Sequence, residues 1–156
     1  MQNGHKTAKR LLEIIPLSMA RVRAEMRFCI PGDLSVPHFR ILGSIIRGKK
    51  LVNEIAQHHG VSQPSMSRSV NSLVKRGLIE RSHTSADRRQ TPLRLTKKGA
   101  ALFRKIKTAT ENRLSQKVLA MDSKNRNALL QGLAELEKLF SINTERAAAP
   151  CKGNKV

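Results

Sequence analysis

The chain has 156 residues, of which 39% are hydrophobic, and this is enough for one ordinary domain with a sizeable core. Lysine and arginine number 30 against 11 acidic residues, so the net charge of +19 favours a polyanionic partner such as nucleic acid. No run reaches the ~18 apolar residues that a membrane span needs, and aromatic residues, at 3%, are too few to stack single-stranded bases. The charge and the few aromatic residues therefore favour double-stranded DNA as the partner, and we expect no binding to a membrane. No signal-like apolar stretch follows the basic start, so we expect a cytoplasmic protein.

The first predicted element is a long helix. Apolar residues fall at helical spacing between Leu11 and Phe28. Pro16 interrupts this pattern, so we expect either a kink at this position or a helix that begins there. The segment "CIPGDLSVP" follows, and its Pro-Gly turn signal predicts a linker.

The next predicted helix is short and lies in "VPHFRILGSII". Ser35 precedes it and can cap its N-terminus, and Pro37 is tolerated in its first turn. We expect the inner face of this helix to consist of Phe39, Leu42 and Ile46.

A second short helix is predicted in "LVNEIAQHHG", with Ile55 and Ala56 facing the core. Gly60 suits the left-handed conformation that ends a helix, and we expect Val61 to be buried in the turn. Leu51 stands where a capping serine or threonine is common, so the sequence leaves the start of this helix open.

The stretch "VSQPSMSRSVNSLVKRG" concentrates serines in one helix, which Ser62 can cap and Gly77 can end. At 100° per residue the apolar side chains gather on one side: Met66, Val70, Leu73 and Val74. Small or polar side chains gather on the other: Pro64, Ser65, Arg68, Asn71, Ser72 and Lys75. Such a helix is suited to the major groove of DNA, because small side chains allow close approach and hydroxyls can bond phosphates or bases. The alternative is an ordinary exposed helix whose serines have no role.

Two short strands are predicted next, in "LIERS" and "PLRL", around the polar loop "HTSADRRQT". A helix, a turn, a serine-capped helix and a basic-tipped hairpin form a winged helix-turn-helix in this order. We expect Arg88 or Arg89 to enter the minor groove of DNA, which attracts guanidinium groups where it is narrow. Asp87 can orient one of these arginines, or it can be a plain turn residue.

Two longer helices complete the predicted fold. Thr96 caps the first, and Asp122 or Ser123 caps the second, which carries an apolar stripe: Leu129, Leu133, Leu136 and Phe140. A small winged core cannot cover both this stripe and that of the first helix, so we predict an obligate homodimer. The tail, residues 144–156, is expected to be disordered.

In these motifs the sequence resembles the MarR family of bacterial transcription regulators, from about Leu11 to Phe140. The family shows a serine-capped helix with S-R-x-V, then G-L-I, D-R-R, L-x-L-T and a glycine. Each piece is weak alone, but their order and spacing are specific. The matching residues here are Ser67, Arg68, Val70, Gly77, Leu78, Ile79, Asp87, Arg88, Arg89, Leu93, Leu95, Thr96 and Gly99.

The resemblance implies a mainly α fold with a small β-hairpin wing, in which a winged helix-turn-helix is flanked by N- and C-terminal dimerisation helices. The corresponding ranges are 1–35 for the N-terminal dimerisation helix and linker, 36–99 for the DNA-binding domain and 100–143 for the C-terminal dimerisation helices. The implied function is that of a homodimeric repressor on palindromic DNA, released by a small-molecule effector or an oxidant. No cofactor is implied.

The candidate DNA contacts lie in the serine-rich helix and the wing: Ser62, Gln63, Pro64, Ser65, Ser67, Arg68, Ser69, Ser72, Lys75, Asp87, Arg88 and Arg89. Arg68 lies at the centre of the outer face and can contact a base or a phosphate; a solvated charge is the alternative. The cations Arg47, Lys49 and Lys50 lie near the phosphate backbone or merely solubilise a loop.

Cys29 ends the first helix and is a candidate redox sensor, although a buried, inert cysteine is the simpler interpretation. The five histidines are scattered or adjacent on one helix, so we predict no metal site. No catalytic triad, phosphate loop or carboxylate pair indicates an enzyme. Two other functions stay open: an architectural protein that binds DNA with little specificity, and a winged helix that binds an acidic protein.

Overall fold

The computed structural model describes residues 2–82 and 91–141. Within them, six α-helices and a two-stranded antiparallel hairpin form a mainly helical fold, as predicted. None of these helices is long and apolar enough to cross a membrane. In chain order the elements are α1 (Gln2–Cys29), α2 (Val36–Ile46), α3 (Val52–His59), α4 (Gln63–Lys75), β1 (Ile79–Arg81), β2 (Leu93–Leu95), α5 (Lys97–Leu119) and α6 (Ser123–Ser141).

The chain divides within α5 into two compact units, residues 1–114 and 115–156. The first unit contains a hydrophobic core shared by α2, α3, α4 and the hairpin. Because serines lower the helical propensity of α4, packing against this core does more to hold that helix than its own composition does. The buried residues of the core are Ile41, Leu42, Ile45, Ile55, Ala56, Met66, Val70, Leu73, Leu78, Ile79 and Leu93.

The ends of the short helices follow local chemistry. Gly60 ends α3 with a φ of 65°, in the left-handed region that favours glycine. At the start of α3, the side chain of Glu54 accepts hydrogen bonds of 3.1 Å from the backbone N–H groups of Lys50 and Leu51. The helix therefore begins at Val52 without a capping side chain at Leu51.

Helix α1 is longer than the sequence predicted. It begins at Gln2 and continues through Pro16, so the expectation of a helix start at this proline is wrong. A proline inside a helix removes one i−4 hydrogen bond and crowds the preceding turn, but alanine, leucine and basic residues on both sides are good helix formers, and the helix continues.

Two expectations about buried side chains are wrong. In α2 the core face consists of Ile41, Leu42 and Ile45, while Ile46 is 52% exposed, because the helix is rotated by about one residue from the predicted face. Val61 is 44% exposed. Its backbone N–H donates to the carbonyl of Ala56 at 3.1 Å, and this fixes the turn with the side chain outward.

The hairpin is attached to the helical core at its base. Its register pairs Ile79 with Leu95 and Arg81 with Leu93. The backbone N–H of Leu93 also donates to the carbonyl of Lys50 at 2.8 Å, which ties the second strand to the turn between α2 and α3. The two strands are therefore held against the turn that precedes α3.

Thr96 joins the end of α4 to the start of α5. Its Oγ1 accepts a hydrogen bond of 3.0 Å from the backbone N–H of Gly99, which confirms the predicted cap. The same hydroxyl donates to the carbonyl of Gly77 at 2.6 Å. Gly77 lies just before β1 and Thr96 just after β2, so this contact helps to hold the two strands at the end of α4.

In the second unit, Asp122 caps α6 by accepting a hydrogen bond of 2.8 Å from the backbone N–H of Asn125. The choice between Asp122 and Ser123 is thus settled in favour of Asp122. Large apolar side chains of α6 are exposed within the chain: Leu129, Leu130, Leu133, Leu139 and Phe140. The prediction of a disordered tail at 144–156 concerns residues outside the described ranges.

Candidate nucleic-acid interface

Helix α4 presents a polar face over a buried apolar back. Ser62 caps the helix by accepting a hydrogen bond of 3.4 Å from the N–H of Ser65, and Pro64 lies in the first turn. Met66 and Val70 are at most 3% exposed, whereas Arg68 is exposed on the opposite side. The division of the helix into an inner and an outer face is therefore as predicted.

The serine hydroxyls of α4 do not have equivalent roles. Besides the cap at Ser62, Ser69 Oγ donates to the carbonyl of Ser65 at 3.3 Å, and Ser72 Oγ accepts from Arg76 Nε at 3.4 Å. Within the described part of the chain, the hydroxyls of Ser65 and Ser67 have no hydrogen-bond partner. Within the described residues these two half-buried serines are free to bond a ligand, while the hydroxyls of the other three are already bonded within α4 or to the arginine that follows it.

A polar groove runs along the C-terminal half of α4 and is lined by Asp33, Arg68, Asn71, Ser72, Lys75 and Arg76. Arg68 and Lys75 are exposed, and neither has a carboxylate partner among residues 2–82 and 91–141. Two cations on one helix face, next to hydroxyl and amide groups, can bind phosphate oxygens or the acceptor edge of a base.

Asp33 and Arg76 were not among the predicted site residues. The carboxylate of Asp33, in the linker between α1 and α2, forms an ion pair with Arg76 Nη1. The hydrogen bond from Arg76 holds the pKa of Asp33 below its usual value. The sequence carries no local signal for this pair, because the two residues are far apart in the chain.

A second polar groove lies between α3, α4 and the base of the wing. It is lined by two predicted contact residues, Gln63 and Ser67, together with Leu51, Val52, Asn53, Arg81 and Thr91. Arg81 Nη2 donates a hydrogen bond of 2.7 Å to Asn71 Oδ1. Arg81 was not predicted as a site residue, because strict alternation from the buried Ile79 would place its side chain on the inner face, whereas it is exposed.

The predicted contacts Asp87, Arg88 and Arg89 lie outside the described residues. At the base of the same hairpin, Arg81 and Arg94 are exposed. Arg81 lies beside α4, where it bonds Asn71, and Arg94 lies on β2. The two cations extend the positive surface of α4 toward the strands.

The turn between α2 and α3 carries a further cationic cluster. Arg47, Lys49 and His58 line one groove with Gln57 and Glu54. Partial burial lowers the pKa of His58, and the charges of Lys49 and Arg47 lower it further. The choice between a phosphate contact and a solubilising role for Arg47, Lys49 and Lys50 stays open.

Cys29 is half-buried at the end of α1 and is not in a disulfide. Arg113 stacks over the ring of the adjacent Phe28 with its guanidinium carbon 4.8 Å from the ring centroid, and it forms an ion pair with Glu25 at 2.8 Å. In the described part of the chain, no three metal-ligating side chains come together. A redox role for Cys29 stays a prediction.

The winged core matches the model of the MarR family over residues 32–90. The chain is therefore similar to this family in the segment that holds α2, α3, α4 and β1. Two relatives with similar sequences are uncharacterized HTH-type transcriptional regulators. YfiV of Bacillus subtilis is 26% identical over 107 residues, or 68% of this chain and 67% of YfiV. ML2140 of Mycobacterium leprae is 26% identical over 129 residues, or 81% of this chain and 90% of ML2140.

Solved MarR-like structures share the fold. A MarR family protein from Bacillus stearothermophilus superposes with a TM-score of 0.73 at 16% identity, covering 88% of this chain and 97% of that one. Streptococcus pneumoniae FabT, solved in complex with DNA, superposes with a TM-score of 0.62 at 21% identity, covering 88% of this chain and 96% of FabT. Rv2887 of Mycobacterium tuberculosis, solved with salicylic acid, superposes with a TM-score of 0.64 at 21% identity, covering 79% of this chain and 93% of Rv2887. The chain thus has the winged-helix fold of these structures, and its sequence is similar to those of HTH-type transcriptional regulators.

Proposed function

We propose that the protein is a sequence-specific homodimeric repressor that binds a pseudo-palindromic operator through α4 and the wing. The observation that carries this proposal is the outer face of α4, where Arg68 and Lys75 lack carboxylate partners and two serine hydroxyls are free in the described chain. An apolar back packed on the core holds this face rigidly, so its donors are preorganised for base edges in the major groove.

The residues of the proposed contact set have different roles. Arg68 reads a base in the major groove, and Ser65, Ser67, Gln63 and Lys75 contact phosphates or base edges. Ser62, Ser69 and Ser72 act through the helix, because their hydroxyls are already bonded within it. Pro64 allows close approach, and Asp87, Arg88 and Arg89 form the wing contact. FabT bound to DNA is a fold relative that supports this use of the fold.

The dimer proposal rests on apolar surface that each unit leaves exposed. In α1, Leu12 is 79% exposed and Leu17 is 55% exposed, and in α6, Leu130 is 69% exposed. Exposed apolar side chains repeated along two helices are typical of surfaces that a partner covers. We therefore assign residues 1–35 and 100–143 to dimerisation and 36–99 to DNA binding. Sedimentation at micromolar concentration gives twice the monomer mass if this is correct and the monomer mass if it is wrong.

Release by a small-molecule effector completes the proposal. It is supported by the salicylic acid complex of Rv2887, a protein of the same fold. A repressor of this type acts on the chromosome, so we place it in the cytoplasm. Release by an effector is tested by adding salicylate to the protein–DNA complex. Dissociation of the DNA supports this part of the proposal, and an unchanged DNA affinity at millimolar salicylate excludes salicylate as the effector.

Selection of bound fragments from a random DNA pool, followed by sequencing, tests the proposal as a whole. The expected result is one enriched motif with two inverted half-sites centred ~10–11 bp apart, one helical turn, as two-fold symmetry requires. The net charge of +19 favours one competing function, an architectural protein with little specificity. That function predicts no enriched motif from the same experiment.

A further inference from the structure

We propose that Asp33 limits the affinity of the protein for DNA by occupying Arg76, a cation that otherwise binds a phosphate. This inference rests on the DNA-binding face proposed for α4. It states that one carboxylate at the edge of that face lowers the affinity for DNA.

The first step is the position of Arg76. Its Nε donates to Ser72 Oγ at 3.4 Å, so the guanidinium lies along α4 beside the outer face. Its backbone carbonyl accepts a hydrogen bond of 3.1 Å from Lys98 Nζ, which holds the end of α4 against the start of α5. The guanidinium therefore borders the groove that contains Arg68 and Lys75.

The second step is the character of its partner. The side chain of Asp33 is 74% exposed, and that of Arg76 is 32% exposed, so the ion pair opens to solvent on the groove side. The hydrogen bond from Arg76 lowers the pKa of Asp33, and the carboxylate is therefore ionised near neutral pH. Among the described residues, Asp33 is the only acidic residue that lines the groove.

The third step is competition between two anions. A guanidinium binds carboxylate and phosphate with the same two-pronged geometry, so a DNA phosphate at this end of α4 competes with Asp33 for Arg76. It is also repelled by the carboxylate at short range. Because the contact is to phosphate and not to a base, the effect extends to all DNA sequences.

The test compares two substitutions that change the charge equally. Asp33→Asn removes the carboxylate in the groove, and Glu111→Gln removes an exposed carboxylate on α5 that pairs with Lys107 at 3.6 Å. Binding to a labelled duplex of shuffled sequence is measured by fluorescence anisotropy at several salt concentrations. A shuffled duplex is suitable because the proposed effect does not need an operator.

We expect Asp33→Asn to raise the affinity for the shuffled duplex severalfold more than Glu111→Gln does. The slope of log affinity against log salt should steepen by ~0.9 for each protomer, the value for one additional phosphate contact. When Arg76 is replaced by glutamine, Asp33→Asn should raise the affinity for the shuffled duplex no more than Glu111→Gln does. Melting temperatures should stay close to wild type, because an exposed ion pair contributes little to stability.

Equal effects of Asp33→Asn and Glu111→Gln would overturn the inference, as would a gain that persists without Arg76. A loss of affinity in Asp33→Asn would show instead that the pair positions α4 for binding. Failure of the proposed DNA-binding face is a different result: Arg68→Ala and Arg76→Gln would then leave every DNA affinity unchanged.

Discussion

A Cβ atom on Gly99 would lie 2.0 Å from the carbonyl oxygen of Leu78. The first turn of α5 is thus in direct backbone contact with the turn between α4 and β1. Leu78 and Ile79 are 2% and 1% exposed at this point, so neither side can move without disturbing the core. The close contact explains why a glycine stands in a helix at this position, although alanine is the better helix former.

Gly99→Ala should therefore destabilise the protein by about 2–3 kcal/mol, as expected for overpacking a rigid contact. Thermal unfolding followed by circular dichroism measures the loss. Gly4→Ala is the matched control, since Gly4 is also helical but has nothing within 4 Å of an added Cβ. The control should be neutral or slightly stabilising, and equal effects at the two positions would contradict the assigned contact.

The two classes of serine in α4 should respond differently to truncation. Ser67→Ala removes a hydroxyl that has no partner within the described residues, so it should weaken DNA binding by about 0.5–1.5 kcal/mol, the value of one hydrogen bond. Ser69→Ala removes a hydroxyl that bonds the carbonyl of Ser65, and DNA affinity should stay unchanged. The measurement is affinity for the selected operator, and a larger loss for Ser69→Ala would reverse the assignment.

Arg68 and Arg89 should show separable defects. Arg68→Ala should cost ~1–3 kcal/mol on the operator and relax the preference at one base position in each half-site. Arg89→Ala should weaken binding to many sequences and flatten the salt dependence by ~0.9 for each lost phosphate contact. Arg104→Ala, which removes an exposed charge from α5, is the control. If Arg68→Ala lowers all affinities equally while Arg89→Ala abolishes discrimination, the two roles are exchanged.

His59 should make stability depend on pH. Its ring Nε2 lies 2.9 Å from the hydroxyl of Ser44, which is fully buried. Burial lowers the pKa of His59 below 6.5, and the charges of Arg40, His58 and Arg47 lower it further. The unfolded chain then binds more protons than the folded one below about pH 6.5, so acidification through this range reduces the free energy of unfolding.

His59→Gln should reduce this dependence, because the amide can still bond Ser44 but does not titrate. Thermal unfolding between about pH 7.5 and 5 measures the slope, which should remain unchanged in His5→Gln, an exposed position on α1. A steeper slope in His59→Gln than in wild type would contradict the proposed cause.

Local signals predicted most of the winged core. The helix-end roles of Ser62, Gly60 and Thr96 lie within four residues of their own positions, so capping and turn rules identify them. The apolar back of α4 follows from helical periodicity alone. In α2, by contrast, nearly every residue of "RILGSII" is apolar or small, so periodicity cannot select Ile41 and Ile45 over Ile46 as the buried face.

Contacts between distant segments could not be predicted in this way. The Asp33–Arg76 pair and the Arg81–Asn71 hydrogen bond each join two elements whose relative position is set only by the folded core. The serine hydroxyls are a different case, because their hydrogen bonds lie within four residues but composition does not show which hydroxyls form them.

The central claim, that α4 reads DNA sequence, is tested most directly by one ratio. It is the affinity for the selected operator divided by that for a shuffled duplex of equal length, at physiological salt. A sequence-specific regulator should give a ratio of at least ~10³, and Arg68→Ala should reduce it about tenfold or more. A wild-type ratio near one would contradict the account and indicate a protein that binds DNA by charge alone.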